Sequence, residues 1–215
     1  MTDVSVTNRS LKELPVAGRQ WVRRGELLEA ARRIFERDGY HAAAVSAIVQ
    51  AAGLSQGAFY LYFPDKKAIF AALQEEMATL LRRRIYWATR DELDPPRRLE
   101  AGLVAYFDYY AEYRAWNRRL TTEGLGIDAS FEARYREMCE TLATGFAPTL
   151  RQLGVTGPEL GAAALIGLAQ QVAYWNYFQR PSPMTPALLA QACASLFLHG
   201  AASIPDSFTK GGTHA

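Results

Sequence analysis

The chain has 215 residues, 24 Lys+Arg against 22 Asp+Glu, a formal net charge of +2 and 49% hydrophobic residues. That length and apolar content suit a folded protein of one or two domains with a sizeable core, and they exclude a chain disordered throughout. No run of 18 apolar residues occurs, and the start MTDVSVTNRSLKELP lacks the basic-then-apolar order of a secretory signal, so the expectation is a cytoplasmic protein with no membrane span.

The charge divides unevenly. Residues 1–85 hold 13 Lys+Arg against 9 Asp+Glu, and residues 86–215 hold 11 against 13. A basic N-terminal part suits a phosphate-binding face and equally suits ordinary solvated charge. Cys139 and Cys193 are too few for a disulfide framework and lie in apolar helical context, so both read as small core residues. Period-two alternation is absent, whereas Ala, Leu, Arg and Glu recur at helical spacing, so the fold class is all-α.

In chain order, Arg23 to Asp38 puts Leu27, Leu28, Ala31, Ile34 and Phe35 on one helical face, and Gly39 follows as a cap. A short helix from about Ala44 to Ala52 stops at Gly53, and another covers about Gln56 to Phe63. Pro64-Asp65 ends it and starts a long helix from Lys66 to about Trp87, with Asp65 positioned to accept from the amides that follow. Pro95-Pro96 marks the clearest break. Helices are then expected over Arg97 to Tyr113, on to about Glu123, over Ser130 to Leu153 with Pro148 breaking or kinking it, over Pro158 to Phe178, and over Pro186 to His199. The domain expectation is an extension over 1–19, a first domain over 20–80, a second over 81–208 and a tail over 209–215.

Two short helices joined by Gly53-Leu54-Ser55 form a helix-turn-helix, which projects the start of its second helix. That end carries free amides and partial positive charge, so it suits approach to DNA phosphates and groove edges, and Gln56 there can pair with a base edge. The wider order DGYHAAAVSAIVQAAGLSQGAFYLYFPDKKAIFAAL, Asp38 to Leu73, resembles the DNA-binding domain of the TetR family of transcriptional regulators. The resemblance is carried by Gly39-Tyr40, Val45 with Ile48-Val49, Ala52-Gly53-Leu54-Ser55, Gly57-Ala58-Phe59-Tyr60 with Tyr62-Phe63, and Asp65-Lys66-Lys67. Ala43, Ala44 and Ala58 stand where the family pattern has hydroxyls, and Ser46 can supply part of what they lack.

The resemblance implies that Gln56, Gly57 and Ala58 face base edges, that Tyr60, Leu61 and Tyr62 touch groove or backbone, and that Lys66 holds a phosphate. Phe59 and Phe63 read as core, because they carry no polar handle. Arg9, Lys12 and Arg19 could reach along DNA as an arm or remain a solvated tail. The resemblance also implies a homodimer on a palindromic operator of double-stranded DNA, built from the last two helices, and a small-molecule effector in the second domain. The chain's own stripes for that dimer are Gly161, Ala164, Leu165, Leu168 and Val172, then Leu188, Leu189, Ala192, Leu196 and His199.

Aromatic residues crowd two later segments. Tyr106, Tyr110, Tyr113, Trp116, Tyr174, Trp175 and Phe178 could line a cavity for an apolar molecule, with Arg118, Arg119 or Glu123 orienting a polar end; a plain aromatic core or a dimer seam explains them as well. No cofactor is expected. An all-α enzyme is the rival class, but His41, His199 and His214 are scattered and no metal-ligand or phosphate-loop spacing occurs. The functional expectation is a DNA-binding transcriptional regulator, a repressor released by a small hydrophobic effector. An effector-independent regulator of the same fold is the alternative.

Overall fold

A computed structural model describes residues 15–124 and 126–200, and within them every regular element is helical. The expected arm residues Arg9 and Lys12, most of the 1–19 extension, His214 and the 209–215 tail lie outside the described residues. The chain divides into two compact units, Met1–Glu75 and Glu76–Ala215.

The first unit opens with α1, Val16–Ala42, which begins earlier than the expected Arg23; Val16–Val22 holds no proline, and Gly18 is its one weak helix former. Arg19 is therefore helical rather than part of an extended arm. At Gly39 the backbone turns to φ 78°, a conformation glycine reaches without a Cβ penalty, and one further helical turn follows. Then come α2, Val45–Ala51, and α3, Gln56–Tyr60. The third helix ends at Tyr60 rather than Phe63; the amides of Tyr62 and Phe63 both fall back on the Phe59 carbonyl, at 2.9 and 3.0 Å, and close a turn instead. The core of this unit takes Leu27, Leu28, Ala31, Ile34 and Phe35 from α1, together with Ile48, Val49, Phe59, Phe63, Ile69 and Phe70. Phe35, Tyr40 and Phe70 form its aromatic knot, with edge contacts at 5.0 Å from Phe70 to each of the other two.

Helix α4, Lys66–Thr89, starts in this unit, where the Asp65 carboxylate accepts from the Ala68 amide at 2.7 Å, as its sequence position predicts. The second unit holds the rest of it with α5, Pro95–Glu112; α6, Arg114–Arg119, continued by a wide turn over Leu120–Gly124; α7, Ala129–Gln152; α8, Pro158–Tyr174, continued by a second wide turn over Trp175–Gln179; and α9, Pro186–His199. Asp94, Asp128 and Thr185 cap α5, α7 and α9 through their side chains. Helix α7 runs through Pro148 without ending.

Packing in the second unit runs α9 on α5, and α7 on both α5 and α8. Gly102 allows the α5–α7 approach, since a Cβ there would lie 2.8 Å from the Phe146 ring. Asn176, fully buried, pins the α8–α9 loop by accepting from the Met184 amide at 2.8 Å and donating to its carbonyl at 3.2 Å. Among the described residues no helix is long and apolar enough to cross a membrane.

Candidate functional site

In the first unit the turn between α2 and α3 is built by three local devices. Gly53 takes φ 64°, the Leu54 amide reaches back to the Val49 carbonyl at 2.9 Å, and the Ser55 hydroxyl accepts from the Ala58 amide at 3.2 Å. Phe59 and Phe63 then anchor α3 from below, fully enclosed, with the Arg24 guanidinium 5.3 Å over the Phe63 ring. What α3 presents is the remainder: Gln56 and Gly57 are exposed, Tyr60 is 53% exposed and Leu61 82%, with Ala58 and Tyr62 half-buried. Ser46, in the first turn of α2, is exposed as well. Fixed backbone, anchored aromatics and a displayed polar and aromatic edge are what major-groove docking needs.

Lys66 departs from the expectation. Its ammonium donates to the carbonyls of Tyr40, His41 and Ala43 at 2.7, 3.1 and 2.9 Å and lies 4.7 Å over the Tyr40 ring. An ammonium has three hydrogens, so this set engages all of them. Burial pushes its pKa down, while the three carbonyls favour the charged form. Lys66 is thus a clamp joining the end of α1 to the start of α4, not a cation held out for phosphate. Sequence pattern missed this because the carbonyls it satisfies lie more than 20 residues away. Also missed was Trp21, 74% exposed near the start of α1, whose position only became helical with the earlier start of that helix.

In the second unit a small cavity of about 240 Å³ gathers Tyr110, Tyr174 and Phe178 from the expected aromatic set, with Thr121, Tyr135 and Gln170. The other expected lining residues go elsewhere. Tyr106 and Trp116 are fully buried core, because α5 and α6 turn those faces inward. Tyr113 leans on Tyr109 at 5.2 Å under the Arg84 guanidinium. Arg119 and Glu123 pair with each other rather than lining the cavity, and Trp175 lies near the surface beneath Arg180. Gln170 donates to the Tyr135 hydroxyl at 3.0 Å and to the Cys139 sulfur at 3.1 Å. Tyr135 and Cys139 lie one helical turn apart on α7, a spacing that marks a shared face and could have flagged them.

A larger groove of about 560 Å³ runs between α7 and α8, its lining including Ala143, Ala147 and Ile166 with Arg136 and Arg151. Gln170 borders both spaces. Burial pushes both thiols up, Cys193 to about 12, so neither is a thiolate at neutral pH. The expected dimer stripes are mixed: Leu165 and Leu189 are buried in their own unit, while Leu188 is 44% exposed, and Leu160, outside the stripes, is 78% exposed. Among the described residues no group of three His, Cys, Asp or Glu could hold a metal ion.

The sequence profile described as bacterial regulatory proteins, tetR family, matches residues 27–73. The chain is 36% identical over 87 residues to the HTH-type transcriptional activator FasR of Mycolicibacterium smegmatis, a match spanning 40% of each chain. To the uncharacterised HTH-type transcriptional regulator YdgC of Bacillus subtilis it is 29% identical over 189 residues, spanning 82% of this chain and 91% of that one. To the HTH-type transcriptional repressor Rv1474c of Mycobacterium tuberculosis it is 32% identical, spanning 60% and 65%. Among solved structures, a TetR-like transcriptional regulator from Rhodococcus sp. RHA1 has a TM-score of 0.71 at 24% identity, with 88% and 99% of the two chains covered. The regulator FadR from Bacillus subtilis, solved with stearoyl-CoA, has a TM-score of 0.68 at 20% identity, with 81% and 97% covered. At such identities the two structural likenesses speak for the fold.

Proposed function

Because the chain belongs to the TetR family of bacterial DNA-binding transcriptional regulators, we propose that it acts in the cytoplasm as a repressor. In this reading a homodimer holds a palindromic operator and lets it go when a small, largely apolar molecule enters the second unit. The observation that carries the DNA half is the edge of α3: Gln56, Gly57, Tyr60 and Leu61 stand exposed on a helix whose Phe59 and Phe63 are locked into the core. Gln56 reads base edges, the Tyr60 and Tyr62 hydroxyls bond phosphate or sugar oxygens, Gly57 and Ala58 let the backbone come close, and Ser46 adds a phosphate contact from α2.

The effector half is supported by the two spaces beside Gln170. A second reading, an acyl chain as effector, is favoured by the apolar stretch of the larger groove with Arg136 among its lining; Arg151 there is paired with Glu159 at 2.8 Å. It would parallel the FadR structure solved with stearoyl-CoA. Release by any ligand requires that it bind the DNA-incompetent conformation more tightly, since equal affinity shifts nothing.

Selection from a random duplex pool with the full-length protein tests the DNA half. The expected outcome is an enriched inverted repeat with strong dependence of affinity on salt; a pool that stays unenriched overturns the reading.

A further inference from the structure

We infer that the small cavity of the second unit is a site for a compact, uncharged molecule bearing a group that both donates and accepts a hydrogen bond, an amide or a hydroxyl, held between Tyr110 and Gln170. This inference rests on the effector-responsive reading above and names the chemistry of its ligand.

The first support is size and charge. About 240 Å³ is below the roughly 300–1,000 Å³ of sites for drug-sized ligands, so the occupant is small. No charged side chain lines it. An ionised carboxylate placed there would give up hydration and meet no cation among the described lining residues.

The second support is the hydrogen-bond inventory. The amide hydrogens of Gln170 go to Tyr135 and Cys139, which leaves its Oε1 as an acceptor with no protein partner among the described residues. Behind the cavity wall, Tyr106 is fully enclosed, its hydroxyl makes no well-formed hydrogen bond, and its ring lies 4.9 Å from that of Tyr110. The Tyr106 hydroxyl already interacts with the Tyr110 oxygen, so Tyr110 accepts on that side and its own hydrogen can turn to a ligand oxygen. Burial pushes the phenols of Tyr106, Tyr110 and Tyr135 upward, Tyr110 to about 12, so all three keep their protons at neutral pH and act as donors. Tyr174 and Phe178, ring to ring at 5.3 Å, form an apolar wall for the ligand's body.

Benzamide and benzoate are nearly isosteric and differ in charge and in donor capacity, which makes them the probes. With full-length protein at neutral pH, calorimetry and thermal melting should show benzamide binding at least about tenfold more tightly than benzoate. Tyr110→Phe, which removes one oxygen and little volume, should weaken benzamide by about tenfold while leaving the weak benzoate signal unchanged. Benzoate bound as well as benzamide, benzamide unaffected by Tyr110→Phe, binding of neither probe, or stabilisation by palmitate alone would each overturn the assignment. Operator affinity measured in parallel separates the two claims: benzamide bound without any change in operator affinity leaves this site standing and removes effector release, whereas release by palmitate with no benzamide binding does the reverse.

Discussion

At Gln56 and Lys66 the same stretch of chain supplies opposite kinds of residue. Gln56 is exposed at the start of α3, and no side-chain bond holds it among the described residues, so its amide is open to a base edge. Gln56→Ala should therefore change sequence preference, costing about 1–3 kcal/mol at one operator position and little elsewhere. Repeating the duplex selection with the variant checks this, and an unchanged consensus removes Gln56 from base readout. Lys66, by contrast, is committed to three carbonyls. Lys66→Met should lower the stability of the first unit by about 2–3 kcal/mol, since the carbonyls lose charge-assisted bonds, while the slope of log affinity against log salt stays as it was. Denaturation and salt titration of the same variant decide it: a slope reduced by about one, with stability intact, would restore a phosphate role to Lys66.

At the scale of elements, what could be read ahead of the structure follows from how local the cause is. The α2–turn–α3 unit, the Phe59 and Phe63 anchors and the Asp65 cap depend on residues a few positions apart, and sequence spacing carries them. The destinations of Tyr106, Trp116 and Lys66 depend on which distant segment packs alongside, and no spacing encodes that. Gly102 is a case of the second kind. A methyl group there would press on the Phe146 ring, which is itself buried, so neither partner can yield easily. Gly102→Ala should gain up to about 1 kcal/mol in helix propensity and lose about 1–3 kcal/mol to overpacking, for a net fall in melting temperature. A variant as stable as the parent would mean that α5 and α7 can move apart without penalty.

The buried tyrosines of α5 make a pH prediction of the same unit. Burial pushes Tyr110 from 10.0 to about 12, so between those values an unfolded chain has lost its phenol proton while the folded chain retains it. Unfolding then releases a proton, and stability, fully present below pH 10, falls as pH rises toward 12, by about 1.4 kcal/mol per pH unit for this group alone. Tyr110→Phe removes the titrating group and should flatten that decline; equal slopes for parent and variant in alkaline melting curves would show that Tyr110 does not carry it.

For the whole molecule, in the proposed homodimer, the decisive question is how two α3 helices come to act together. One α3 offers a handful of contacts, and a single half-site gives modest affinity, so a palindromic operator is held firmly only if the two copies are joined. A two-fold interface uses the same patch on both copies, and such a patch has to be exposed and apolar in the isolated chain. Among the expected stripe residues Leu165 and Leu189 are already consumed by their own core, which moves the burden to the outward face of the same two helices: Leu160 and Ala164 on α8, with Ala163 and Gly167 where that face borders the α7–α8 groove, and Leu188 on α9. Small residues there allow close approach of helix backbones, and the two exposed leucines supply area whose burial is favourable by roughly 2 kcal/mol each. Leu160→Glu together with Leu188→Glu would place four carboxylates in a desolvated two-fold seam, and they touch neither the cavity lining nor α3. Sedimentation at micromolar concentration should therefore show a monomer that still melts cooperatively, with operator affinity reduced by two orders of magnitude or more, to that of one half-site. A double variant that stays dimeric would move the seam away from these two leucines, and a monomeric variant with undiminished operator affinity would break the link between dimerisation and DNA recognition.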